Sequence, residues 1–271
     1  MRVSEEGRQR YAERIEEYES VVSELAVREE RQQGRIVDTD PEAGIIRLGL
    51  ASSNLTRLSY YVLMNSLSVT LLGVKNEVYL GEARKCCANS LRCLEEIVSA
   101  FIDAPFSDYE DGVMSVERVG GRDKYRLLTR LGYSIDVVEE SYGATSKMKW
   151  SFVELKGRFA AVAKNFINLK TVISRLEPSE EGYADLAEHI ELTKRQLQTA
   201  ADSYRRRYEL SPAGLDDMRF AIRFLNALRR LHHALDEAED RDAVARRIEV
   251  WSTKLEDDIR KSRQDSRSGR P

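Results

Sequence analysis

Large apolar residues recur along most of this chain at alternating intervals of three and four. The clearest run is Met148, Phe152, Leu155, Phe159, Val162, Phe166, Leu169, Ile173 and Leu176. That spacing predicts one helix with a single apolar seam on a 3.5-residue period, stopped by Pro178. Gly157, Ala160, Ala161 and Ala163 fall between the large residues, so a neighbouring helix can come close. Three Phe on one seam need partners along the whole helix, and the rest of the chain supplies them.

The same reading gives the other elements. A first helix starts at Ser4 as N-cap, with Glu5 and Glu6 in its first turn, and carries the narrow seam Tyr11, Ile15, Tyr18, Val22, Leu25. Such a seam suits a packed surface helix or a coiled coil with a second copy, so a homodimer is one alternative. Gly34 and the turn Asp38-Thr39-Asp40-Pro41 end it. A second helix, about Pro41 to Leu72, has one seam of Ala51, Leu55, Leu58, Val62, Asn65, Val69 and Leu72 and another face of Tyr60, Leu63, Leu67 and Leu71. Two apolar faces make it the expected centre of the core, with Asn65 a hydrogen-bonded core polar residue.

Gly73 and Asn76 mark a break, and a third helix runs to about Asp103, where Ala104-Pro105 stops it. Residues 105–121 lack helical period. A fourth helix spans about Arg122 to Tyr142, closed by Gly143. Thr145 or Ser146 caps the fifth, the Phe-bearing one. Ser179 opens the sixth, with the seam Tyr183, Leu186, Ile190, Thr193, Leu197, Ala200, Tyr204. Ser211-Pro212-Ala213-Gly214 reads as a hairpin turn with Ser211 as N-cap and Pro212 at the first helical position. The seventh helix carries Phe224, Leu228 and Leu231, the eighth Val244, Ile248 and Trp251. Asp240-Arg241-Asp242 is the only hint of a break between them.

The expectation is therefore an all-α protein: an elongated antiparallel helical bundle or helical-hairpin array of about eight long helices. Residues 1–261 form a single helical domain, with sub-bundles 1–104 and 122–261 joined by loop 105–121, and 262–271 a disordered tail. No recurring consensus marks a solenoid.

Composition sharpens this. Charged residues make up 33%, above the usual ~25%, which suits long helices with one wet face. Net charge is −3, so no global attraction to nucleic acid is expected. The imbalance lies in residues 1–110, which carry 13 basic and 19 acidic side chains. No apolar signal segment and no membrane span are read. Three Cys within eight positions fit a reducing compartment, and a cytoplasmic location is expected.

Candidate chemistry is sparse. His189, His232 and His233 lack the Glu-x-x-His spacing of di-metal bundles. The pairs His232 with Asp236 and His233 with Glu237 are ordinary surface pairs that hold a metal only weakly. Cys86, Cys87 and Cys93 lack zinc spacing. Asp108-Tyr109-Glu110-Asp111-Gly112 lacks the alternating oxygen ligands of a calcium loop. No catalytic, cofactor-binding or metal residue is assigned.

One basic constellation stands out. Arg205, Arg206, Arg207 and Tyr208 end the sixth helix, and Arg219 and Arg223 lie on one face of the seventh. Arg with Tyr suits phosphate and stacked rings. Ile46-Arg47-Leu48-Gly49-Leu50-Ala51, with Tyr60-Tyr61 and Asn65-Ser66, resembles one helix of the 14-3-3 phosphopeptide adaptors over some twenty residues. In that family the helix lies late in the chain, whereas here it is second. No phosphate-gripping set follows in the family's order, so no site is carried over. The function expected is a non-enzymatic interaction or scaffold protein with a protein partner. The alternative is an adaptor for phosphorylated or nucleic-acid ligands through the Arg/Tyr set.

Overall fold

A computed structural model describes residues 5–143, 146–210 and 214–268, with side chains to 264 in the last stretch. The fold is all-α, and no strand occurs among the described residues. The expected caps at Ser4, Thr145 and Ser211 with Pro212 lie outside them.

Among the described residues ten α-helices follow in order: α1 (Glu5–Gln33), α2 (Ala43–Leu67), α3 (Glu77–Glu95), α4 (Glu110–Ser115), α5 (Gly121–Tyr142), α6 (Lys149–Asn165), α7 (Val172–Arg175), α8 (Tyr183–Leu210), α9 (Leu215–Ala234) and α10 (Ala238–Ser268). A π-helical turn, Ser68–Leu72, extends α2, and a 3-10 turn, Phe106–Asp108, precedes α4. The chain divides into two compact units. Unit 1 is residues 1–100 with 106–155, and unit 2 is 101–105 with 156–271. The division falls inside α6, and the expected linker 105–121 holds the 3-10 turn and α4.

Unit 1 is built on α2, which packs against α1, α3, α4 and α5. Leu55 and Leu58 are buried on it, and Asn65 is a satisfied core polar residue whose Oδ1 accepts from the Asn76 N–H at 2.9 Å. The seam of α1 buries Ile15 and Val22 against Met64, with Tyr18 and Tyr60 edge to face. The seam offered to a second copy is thus turned onto α2. One buried ion pair joins the two helices: Glu29 accepts from Arg57 at 3.0 Å and from the Ser53 hydroxyl at 2.8 Å. The helix expected to reach Asp103 stops at Glu95, leaving Phe101 exposed. Gly112 of α4 sits on the turn that follows, and a Cβ there would fall 1.7 Å from the Ile97 carbonyl oxygen.

Unit 2 is built on α9, which packs against both α8 and α10. Gly157 of α6 meets Tyr204 and Phe224, and its missing Cβ would lie 2.8 Å from the Tyr204 ring. The small residues among the Phe of α6 therefore admit neighbours as expected, and Phe152, Phe159 and Phe166 are all buried. The seam does not continue as one helix to Leu176. Asn165 turns its amide onto the Phe101 carbonyl, Asn168 accepts from the Lys170 N–H, and Leu169 and Ile173 are exposed. Asn168 offers the backbone a local alternative to helix, and Asn165 ties the end of α6 to Phe101; the 4-3 spacing alone does not register either.

The break between the last two long helices lies at Leu235–Glu237, upstream of the expected Asp240-Arg241-Asp242. Asp236 takes the left-handed conformation at φ 57°. The Asp236 N–H bonds to the His233 carbonyl, and the Glu237 N–H to that of His232. This is a Schellman ending with Asp where Gly is usual. At the far end, α10 continues to Ser268, so 262–268 are helical where a disordered tail was expected. Arg263, Gln264 and Arg267 there are good helix formers.

Candidate functional site

Two depressions flank the N-terminal half of α2, both within unit 1. The first, about 550 Å³, lies between the start of α2, the end of α3 and the 3-10 turn with α4. It is acidic, and three of its carboxylates are engaged. Asp38 and Glu96 hold Arg47 at 2.5 and 3.1 Å, and Asp40 accepts from the Glu42 N–H at 2.8 Å. Asp108 and Asp111 stand at the rim in the run that sequence compared with a calcium loop.

The second is a groove of about 430 Å³ between α2 and α5. Ile45, Leu48, Gly49 and Ser52 line one wall, at helical offsets of 3, 4 and 7. Val119 and Leu127 line the other, with Lys124, Arg126, Arg130 and Asp123. The surface is more apolar than polar, yet it carries three cations against one carboxylate. Lys124 is 3.6 Å from Glu117, and Arg126 lies 4.0 Å from Asp123. Arg130 donates to the Thr56 hydroxyl at 3.1 Å and has no carboxylate partner among the described residues. Gly49 has open space where its Cβ would stand. Sequence inspection missed this groove. The available signal was the stripe Ile45, Leu48, Gly49, Ser52, a minor face of a helix already assigned two others.

The Arg/Tyr set of unit 2 is arranged differently. Arg207 makes a bidentate pair with Asp217 at 2.6 and 2.9 Å and lies over the Tyr204 ring. Arg205 bonds to Glu209 at 2.9 Å and rests on Trp251. Tyr208 donates to Asp258; partial burial and that carboxylate push its pKa up to about 12. Arg219 pairs with Asp216 at 2.5 Å, while Arg223 and Arg230 share Asp103 at 2.5 and 3.2 Å. Arg206 stays exposed. The set is distributed over separate carboxylate partners.

The histidines separate likewise. His189 is buried, its Nε2 2.9 Å from the Ala163 carbonyl oxygen. His232 pairs with Glu237, not Asp236, at 2.6 Å, and Glu237 also accepts from Lys194 at 2.6 Å. Cys86, Cys87 and Cys93 are free and buried, and burial raises their thiols to about 11, 12 and 11. They are buried core side chains.

Among the described residues, no helix is long and apolar enough to cross a membrane. The sequence model of the TP0443 family matches residues 7–259, and the chain belongs to that family. No curated protein and no solved structure matches it.

Proposed function

We propose that this TP0443-family chain is a non-enzymatic interaction protein whose α2/α5 groove receives an acidic, partly apolar segment of a protein partner. The observation that carries the reading is the composition of the groove: an apolar floor beneath three cations, with Arg130 lacking a carboxylate. An apolar floor favours burial of aliphatic side chains. A rim cation without an internal carboxylate favours an incoming one and discriminates against a basic segment. Three buried free thiols support a reducing, cytoplasmic setting.

The reading through Arg205, Arg206, Arg207, Tyr208, Arg219 and Arg223 toward a phosphate-bearing ligand draws less support. A phosphate would have to displace Asp217 from Arg207 and Glu209 from Arg205.

The test uses three amphipathic helical peptides with the same Leu face and a polar face of Glu, Lys or Ser. Calorimetry with the full chain is expected to show saturable binding of the Glu peptide only, weakening as salt rises. Gly49→Leu fills the groove from a position with open space, so it should block binding without loss of helicity. Equal binding of all three peptides, or Glu-peptide binding unchanged in Gly49→Leu, contradicts the proposal.

A further inference from the structure

The corner between α9 and α10 gathers metal-ligating groups that neither the interaction reading nor the family match uses. The Schellman ending of α9 sets His232 beside Glu237. These two positions of the motif ordinarily hold a pair of apolar side chains in contact. Here they hold an imidazole and a carboxylate, with Nδ1 2.6 Å from Oε2. Asp240 follows in the first turn of α10, and the ligand atoms of all three residues lie within 4.8 Å of one another. His232 is only 7% exposed, so its ring is held by packing, whereas Asp240 is exposed and free to change rotamer.

We propose that this corner is a divalent-metal site of zinc type, with His232 Nδ1, one Glu237 oxygen and one Asp240 oxygen as ligands and solvent completing the shell. One nitrogen and two carboxylate oxygens suit zinc and its neighbours better than calcium or magnesium, which favour all-oxygen shells. A tetrahedral ion with bonds of about 2.0–2.2 Å places its ligand atoms roughly 3.3–3.6 Å apart. A small opening of the His232–Glu237 pair and a rotamer change at Asp240 meet that requirement.

Lys194 does not block the site. Its ammonium bonds to Oε1 of Glu237, while Oε2 faces the imidazole. The ion takes the place of the hydrogen between Nδ1 and Oε2, and Lys194 remains on Oε1 as the outer partner that orients a ligating carboxylate. A charged imidazole releases that proton to solvent; a neutral one carries it on Nε2. Two carboxylates balance the ion, and Glu191, 2.8 Å away, balances Lys194. The carboxyl end of α9 favours a cation and the amino end of α10 opposes one, so the two dipole ends largely offset each other.

The experiment is calorimetric titration of the tag-free full chain with zinc chloride at neutral pH. The expected result is one saturable site per chain and a melting temperature that rises with zinc and returns on adding chelator. His232→Ala and Asp240→Asn should each weaken binding by more than about tenfold. His233→Ala, one residue away on an exposed side chain, should leave it unchanged. Circular dichroism confirms that each variant is folded. Failure to saturate below about 1 mM zinc, or equal affinity in wild type and both ligand variants, overturns the proposal, whatever the outcome at the α2/α5 groove.

Discussion

The two basic clusters of this chain look alike in composition and differ in use. In unit 2, Arg205, Arg207, Arg219 and Arg223 each meet a carboxylate within 3 Å. In unit 1, Lys124 lies 3.6 Å from Glu117 and Arg126 4.0 Å from Asp123, and Arg130 meets a hydroxyl. The dense cluster is taken up by its own carboxylates, within α8 and α9 and between them. The dilute one lines an apolar groove, the face we propose for the partner. Cation density in a sequence therefore ranks sites poorly; what matters is whether the fold brings a carboxylate to each cation.

Stability measurements on the partly buried ion pairs give the largest expected effects. Asp217→Ala removes the bidentate carboxylate from a guanidinium only 16% exposed, and should cost about 2–3 kcal/mol in urea unfolding, short of the full penalty for a broken buried pair. Glu29→Ala, which strands Arg57 in unit 1, should cost a similar amount. A loss under about 0.5 kcal/mol at both sites would mean that these pairs are ornamental.

An alkaline titration gives the next largest effect and opposes the two units. Burial, helped by Arg230, lowers the Lys164 pKa to about 8, so between pH 8 and 10.5 the unfolded chain keeps a proton that the folded one has released. Unit 2 should gain stability with rising pH across that window, by at most ~1.4 kcal/mol per pH unit. Lys164→Met should lack that rise. The unit 1 thiols act with the opposite sign: raised from 9 by burial, they make stability fall as pH climbs above 9. Trp150 and Trp251 lie in different units, so single-Trp variants report each unfolding separately.

Smaller effects follow. Asp236→Gly relieves a left-handed residue at φ 57°, and should raise stability by roughly 1 kcal/mol in thermal melts. Arg130→Ala should change stability by less than about 0.5 kcal/mol, because nothing in the fold depends on its charge.

Sequence alone carried the helical class and most boundaries where a seam coincided with a cap. Gly73 and Gly143 close helices in positive-φ conformations, at 72° and 85°, as their positions suggested. Asn76 caps α3 through its side chain. Legibility failed where spacing and capping disagreed. The seam beyond Asn165 kept its period while the backbone left the helix. The α9–α10 joint was hidden because Asp236 occupies a position that usually announces itself as Gly. The groove escaped notice because its cations are spread over one face of α5, and only the fold sets them opposite Ile45 and Leu48. Pairing of cations with carboxylates far along the chain, such as Arg223 with Asp103, cannot be read from local pattern.

The comparison between the clusters reduces to one binding measurement: the affinity of the Glu-faced peptide for Arg130→Glu set beside that for an Arg206→Glu, Arg219→Glu double variant. Loss of more than about tenfold at Arg130, with the double variant close to wild type, is the expected result. The opposite order, with the double variant weakened and Arg130→Glu unchanged, would return the binding face to unit 2 and contradict the account.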